Sequence, residues 1–209
     1  MQKRKTTMLG EVYHILQICL GTPVEKFVWT LRTADGKAVS TGEYTPKQFY
    51  QEFVGKDLKN DYVMLMNDPT RPYYKLYAVD LDRHTYDVRN WTYINLPMNE
   101  IKAMAVKSLK DTTMMYMYCD VGKFLDKKTG VLDVDNYDYA SLFNTTFPMN
   151  KAERIQTHAS ASSHAMTLMA VGLDATGKTT KWMVENSWGP TYGYKGHLIM
   201  TDKWLDEYL

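Results

Sequence analysis

Cysteine is scarce in this chain of 209 residues: Cys19 and Cys119 stand alone. Two cysteines give no disulfide framework, so the fold must rest on a buried core. No apolar run approaches the roughly 18–20 residues that a membrane span needs. The basic start, Gln2-Lys3-Arg4-Lys5, leads into a stretch interrupted by Glu11, His14 and Gln17, which is no signal-peptide core. An excess of one charge is missing too. The 25 basic and 24 acidic residues leave a net charge of +1, which gives no electrostatic case for nucleic acid or acidic substrates. No pair of histidines or cysteines has metal-ligand spacing on a predicted helix, so neither a metal nor a cofactor is called for. These absences make a cytoplasmic protein, in a reducing compartment and away from membranes, the expectation.

What is present is material for a core. The chain is 44% hydrophobic, with 16 tyrosines and 14 methionines, and its length suits one or two domains. Thr7 to Leu20 reads as a helix capped by Thr6 or Thr7, with Leu9, Val12, Leu16, Cys19 and Leu20 on one side and Gly21 and Pro23 as its stop. Phe27 to Leu31 alternates like a strand, and Asp35-Gly36 is a hairpin signal. Thr45-Pro46-Lys47-Gln48 combines a capping residue, a proline at the first helical position and a glutamine that completes a capping box. Val63–Met66 and Leu76–Val79 read as strands around a turn-rich segment, and Glu100–Leu109 as a helix. The last third changes character. His164–Leu173, Lys181–Glu185 and His197–Met200 read as a strand meander, with Asp202 capping a final helix. The pattern is α+β, divided as residues 1–112, a helical and hairpin region, and 113–209, a sheet-rich domain.

The meander places His164 at the start of one strand and Asn186 just past the end of the next, ends that an antiparallel turn brings together. Thiol-based acyl transfer needs an imidazole to keep a thiol ionised and a third group to orient that imidazole. An amide oxygen on Asn186 suits the orienting task, because it fixes one tautomer of His164 without competing for its proton. In Asn186-Ser187-Trp188-Gly189, the Trp188 indole is placed to cover the bond, and excluding water there strengthens it. Neither cysteine is read as the nucleophile. Asp120 opposes a thiolate at Cys119, and Cys19 lies on the apolar side of a helix, where buried packing is expected.

Ser163-His164-Ala165-Met166-Thr167 and Lys181-Trp182-Met183-Val184-Glu185-Asn186-Ser187-Trp188-Gly189 resemble the histidine and asparagine motifs of the bleomycin hydrolase / aminopeptidase C family of papain-like cysteine peptidases. Glu11-Val12-Tyr13, Asn67-Asp68-Pro69, Lys75-Leu76-Tyr77, Cys119-Asp120-Val121-Gly122-Lys123, Asn150-Lys151-Ala152-Glu153-Arg154 and Met200-Thr201-Asp202 are similar to further family segments, in family order. The resemblance implies part of a papain-like fold: a helical region with family insertions, then an antiparallel, barrel-like sheet domain carrying the histidine and asparagine. It implies a cysteine-type aminopeptidase acting on peptides and assembled as a ring-shaped homohexamer.

Two family features have no counterpart here. One is the Cys-Trp-Ala-Phe-like helix start that carries the nucleophile, with its upstream glutamine. The other is the C-terminal arm whose carboxylate lies in the cleft. The chain is therefore read as a fragment without its nucleophile, inactive alone. The alternative reading is a non-catalytic interaction or assembly module derived from a degenerate half-enzyme.

Overall fold

Local signals shape the first sixty residues. In the computed structural model, which describes residues 2–57 and 60–209, strand β1 (Phe27–Arg32) pairs antiparallel with β2 (Ala38–Tyr44) across the Asp35-Gly36 turn. Thr45 caps α2 (Pro46–Phe49): its hydroxyl accepts from the Gln48 N–H, while Gln48 Oε1 accepts from the Thr45 N–H at 2.9 Å. A π-helical turn, Tyr50–Val54, follows and ends at Gly55 in the left-handed region. Rings of Phe27, Trp29, Tyr44, Phe49 and Phe53 pack together between hairpin and helix.

Helix α1 (Gln2–Leu20) starts earlier than its sequence signal. Thr6 and Thr7 lie inside it, and their hydroxyls donate back to the Gln2 and Lys3 carbonyls instead of capping. None of its residues is buried, and Cys19, expected in apolar packing, is exposed. An apolar side is buried only where another element packs against it, which the periodicity of one helix cannot specify.

The chain divides into two compact units, Met1–Tyr62 and Val63–Leu209. Residues 63–112, which the sequence grouped with the helical region, belong to the second unit. Their α3 (Met98–Lys110) is tied to the final helix α6 (Asp202–Tyr208) by Lys102, 2.9 Å from Asp202 and 2.7 Å from Asp206. Ahead of α3, β3 (Met64–Met66), β4 (Lys75–Ala78) and β5 (Thr92–Asn95) form a small sheet in the order β3-β5-β4. Buried Asn95 accepts from the Asp68 N–H (2.8 Å) and donates to the Asp68 carbonyl (2.9 Å), fixing the turn that follows β3.

The main sheet has the order β6-β9-β10-β11-β8-β7, built from β6 (Met115–Cys119), β7 (Leu125–Asp126), β8 (Val131–Leu132), β9 (His164–Leu173), β10 (Thr179–Glu185) and β11 (His197–Thr201). The expected meander is present, with β10 antiparallel to both β9 and β11. Two expectations are corrected. The sheet is open, not barrel-like: β7 and β8 have two residues each, too few ladder bonds to carry the sheet round to β6. It is also not wholly antiparallel, since β8 runs parallel to β11.

Alternation buries Met117, Cys119, Met166, Leu168, Trp182, Val184, Leu198 and Met200 on one face, where α6 supplies Trp204, Leu205 and Tyr208. Thr201, not Asp202, caps α6. The Asp202 carboxylate is taken by the Trp182 indole N–H (2.9 Å) and by Lys102. Two short helices, α4 (Tyr139–Phe143) and α5 (Lys151–Gln156), lie between β8 and β9 in the chain. No described helix is long and apolar enough to cross a membrane.

Candidate active site

His164 is the first residue of β9 and sits directly opposite Cys119, the last residue of β6. The loop that delivers it is pinned to the end of β6. Ser163 N–H donates to the Cys119 carbonyl (2.9 Å), and the buried Asp120 carboxylate accepts from the Ser160 hydroxyl (2.7 Å) and the Ala161 N–H (3.3 Å). Asn186 follows β10, whose last residue, Glu185, pairs with Thr167 on one side and His197 on the other. Its backbone N–H donates to the Gly196 carbonyl at 3.0 Å, which closes the loop 186–196 at its base.

These anchors bring the two side chains together, with His164 Nε2 at 2.8 Å from Asn186 Oδ1. The backbone decides which proton lies between them. Asn186 Oδ1 also accepts the Ser187 N–H at 2.8 Å, so the atom facing that donor must be the amide oxygen. An amide oxygen only accepts. Nε2 therefore carries the hydrogen, and Nδ1 is left with the lone pair. The Asn186 amide nitrogen is buried and has no hydrogen-bond partner among the described residues.

Trp188 stacks on the imidazole with ring centroids 4.9 Å apart and planes at 24°, and Tyr192 meets the indole edge-on at 4.8 Å. The indole lies against the imidazole and is 41% exposed. Gly189, at φ +96°, makes the turn after it. A close contact of glycines, Gly193 in this loop and Gly130 before β8, holds the loop against the sheet.

Cys119 shares the core face with His164 but cannot act on a substrate. It has no exposed surface, and burial, then the neighbouring Asp120 charge, pushes its thiol up to about 12. Cys19 belongs to the other unit. Among the described residues, no cluster of three or more His, Cys, Asp and Glu could hold a metal ion. His164, Asn186 and Trp188, singled out in the sequence, are thus brought together. The Asp120–Ser160 anchor and Tyr192 were missed. The Cys119-Asp120 segment stands out in the sequence for its cysteine, for the charge beside it and for its family resemblance, none of which points to Ser160, and nothing in the spacing marks Tyr192.

An α+β unit with an open sheet, carrying a histidine at one strand end and an asparagine at the next, has the architecture of papain-like cysteine peptidases. Comparison with known sequences and structures agrees. The Peptidase C1-like family model matches residues 1–209, and the chain belongs to that family. It is 42% identical over 210 residues to human bleomycin hydrolase, covering 97% of this chain and 46% of that protein. It is 37% identical over 215 residues to aminopeptidase C of Lactococcus lactis subsp. cremoris, covering 100% and 48%. The crystal structure of PepW from Lactobacillus rhamnosis HN001 superposes with a TM-score of 0.90 at 38% identity, covering 99% of this chain and 46% of that one. The chain spans about half the length of the curated relatives it matches.

Proposed function

We propose that these residues carry the imidazole–amide half of a thiol aminopeptidase site that removes N-terminal residues from peptides, with the thiol supplied by polypeptide outside these 209 residues. The observation that carries the reading is the 2.8 Å Nε2–Oδ1 bond whose polarity the Ser187 N–H sets. It leaves Nδ1 basic. Nδ1 takes the proton of an approaching thiol, giving a thiolate and an imidazolium. The thiolate forms the S–C bond to the scissile carbonyl. The C–N bond then breaks as Nδ1–H protonates the leaving amine. In the second half, Nδ1 accepts a proton from water, the new C–O bond forms and the thioester S–C bond breaks. A carboxamide neither gives nor takes a proton in these steps; it keeps the ring in one tautomer, while Trp188 excludes water from the bond. The chemistry of Cys119 supports an external thiol, since that sulfur is neither ionised nor reachable. Assembly as a homohexamer is part of the same proposal.

Aminoacyl fluorogenic substrates test it. The 209-residue chain alone should give no turnover. The polypeptide that joins these residues to their thiol should hydrolyse the substrate and lose about 10⁴-fold or more on His164→Ala. Robust turnover by the 209 residues alone, abolished by His164→Ala, would overturn the external thiol. Undiminished activity of His164→Ala in the joined polypeptide would overturn the role of the ring. A second reading, a non-catalytic assembly module, is favoured by the exposed apolar residues Leu9, Val12, Leu16 and Leu20 on α1. The DNA preceding Met1 separates the two: a Cys-Trp-Ala-Phe-type run in frame, or one frameshift away, supports the enzyme.

A further inference from the structure

We infer that Asp120 is a positioning residue for His164, acting through the Ser160–Ser163 loop. This rests on the reading of the His164–Asn186 pair given above. The two members of that pair are supported unequally. Asn186 follows the central strand β10, which is paired on both sides, and its own N–H is bonded to Gly196. His164 opens β9 at the very end of its ladder with β6, where Cys119 is its partner and no further pair continues the ladder. A strand's first residue frays unless the chain before it is held.

Here the Ser160 N–H is held by the Arg154 carbonyl of α5 (3.1 Å), and the remaining anchors come from the two residues that end and follow β6. The Cys119 carbonyl accepts the Ser163 N–H, and the Asp120 carboxylate accepts both the Ser160 hydroxyl and the Ala161 N–H through Oδ2. Asp120 is itself fixed, because it is buried and its N–H donates to the Tyr208 carbonyl at the end of α6 (3.1 Å). Bonds to a buried carboxylate are charge-assisted and stronger than neutral ones. Asp120 therefore ties the approach to His164 to the core helix without touching the imidazole.

The test uses the 209-residue chain labelled with ¹⁵N-histidine. In the wild type, the His164 ring should show Nε2–H as the dominant neutral tautomer, with a slowly exchanging ring proton, and Asn186→Ala should remove that signal. Asp120→Ala and Ser160→Ala should each speed exchange of that proton by about tenfold and mix the tautomers. Amide exchange in β10 and β11 should stay unchanged, as it should in the surface control Lys203→Ala. Asp120→Asn, which keeps an acceptor oxygen for Ser160, should restore most of the protection. Unchanged tautomer and exchange in both Asp120→Ala and Ser160→Ala would overturn the inference. Should Asp120→Ala fail to fold, Ser160→Ala decides alone. Absence of the Nε2–H form in the wild type would overturn the pair, and this inference with it, which separates the two failures.

Discussion

The Gly130–Gly193 contact allows a sharp test of how the loop bearing Trp188 is held. An ideal Cβ on Gly130 would lie 2.5 Å from Gly193 Cα and 3.3 Å from Leu198 Cδ2. A Cβ on Gly193 would run into the His197 carbonyl oxygen and lie 3.1 Å from Leu198 Cδ2. Both glycines have positive φ, 76° and 60°. Alanine in that region costs about 1 kcal/mol of backbone strain. Overlap with fixed backbone adds about 1–3 kcal/mol, because no flexible side chain can swing aside. Each substitution should therefore destabilise the chain by about 2–4 kcal/mol. Gly177, at φ +85° with nothing within 4 Å of its ideal Cβ, is the matched control and should lose only the strain, about 1 kcal/mol. The overlap at Gly193 is with its own hairpin, since Gly130 Cα lies 3.4 Å from that Cβ, so each substitution is read by itself. Urea denaturation followed by circular dichroism, at a common slope, reads all three values. A Gly130→Ala or Gly193→Ala midpoint no lower than that of Gly177→Ala would refute the reasoning.

Two further outcomes follow from titrating groups. Burial lowers the Lys151 ammonium from its ordinary 10.5 to about 8, against the opposing pull of Glu207 and Asp206. Below about pH 8 both folded and unfolded chains hold this proton, and the folded state bears the full penalty, about 3 kcal/mol. As pH rises from about 8 towards 10, the folded state gives up the proton first and stability should rise. Higher still, half-buried tyrosines such as Tyr93, whose hydroxyl desolvation and Asp82 push up, oppose the gain. Urea midpoints between pH 7.5 and 9.5 should climb in the wild type and flatten in Lys151→Met; parallel slopes would sink the assignment. With a thiol reagent at pH 8, exposed Cys19 should react at once and buried Cys119 only after denaturant is added. Two fast equivalents would contradict the packing of Cys119.

The His164–Asn186 pair was legible because it depends on short-range rules. Strand ends, the antiparallel turn between them and an amide two residues before an indole suffice to place it. The closed capping box at Thr45 follows from an equally local signal. What the sequence hid is set by competition and distance. Asp202 has the chemistry of a cap, but Trp182 and Lys102 claim its carboxylate, and Thr201 takes the position. Asp120 meets Ser160 across 40 residues, a pairing no periodicity encodes. The parallel pairing of β8 with β11 and the failure of the sheet to close depend on how few residues β7 and β8 contribute, which composition does not reveal. Whether the apolar side of α1 is covered is a property of its neighbours and cannot be read from the helix.

The indole stacked on His164 also makes the site visible to light. A protonated imidazole quenches an adjacent indole, so the emission of Trp188 should track the charge on that ring without any added dye. Trp182 and Trp204 are buried in the core, and the other histidine–indole contact, His84 against Trp91, can be silenced by Trp91→Phe. Trp29, on the first hairpin, adds emission that Trp29→Phe removes, and against the constant signal of the core indoles Trp188 is then a gauge lying against the ring itself. In the proposed site it would report whether a thiol brought to the ring has handed over its proton before any peptide bond is cut.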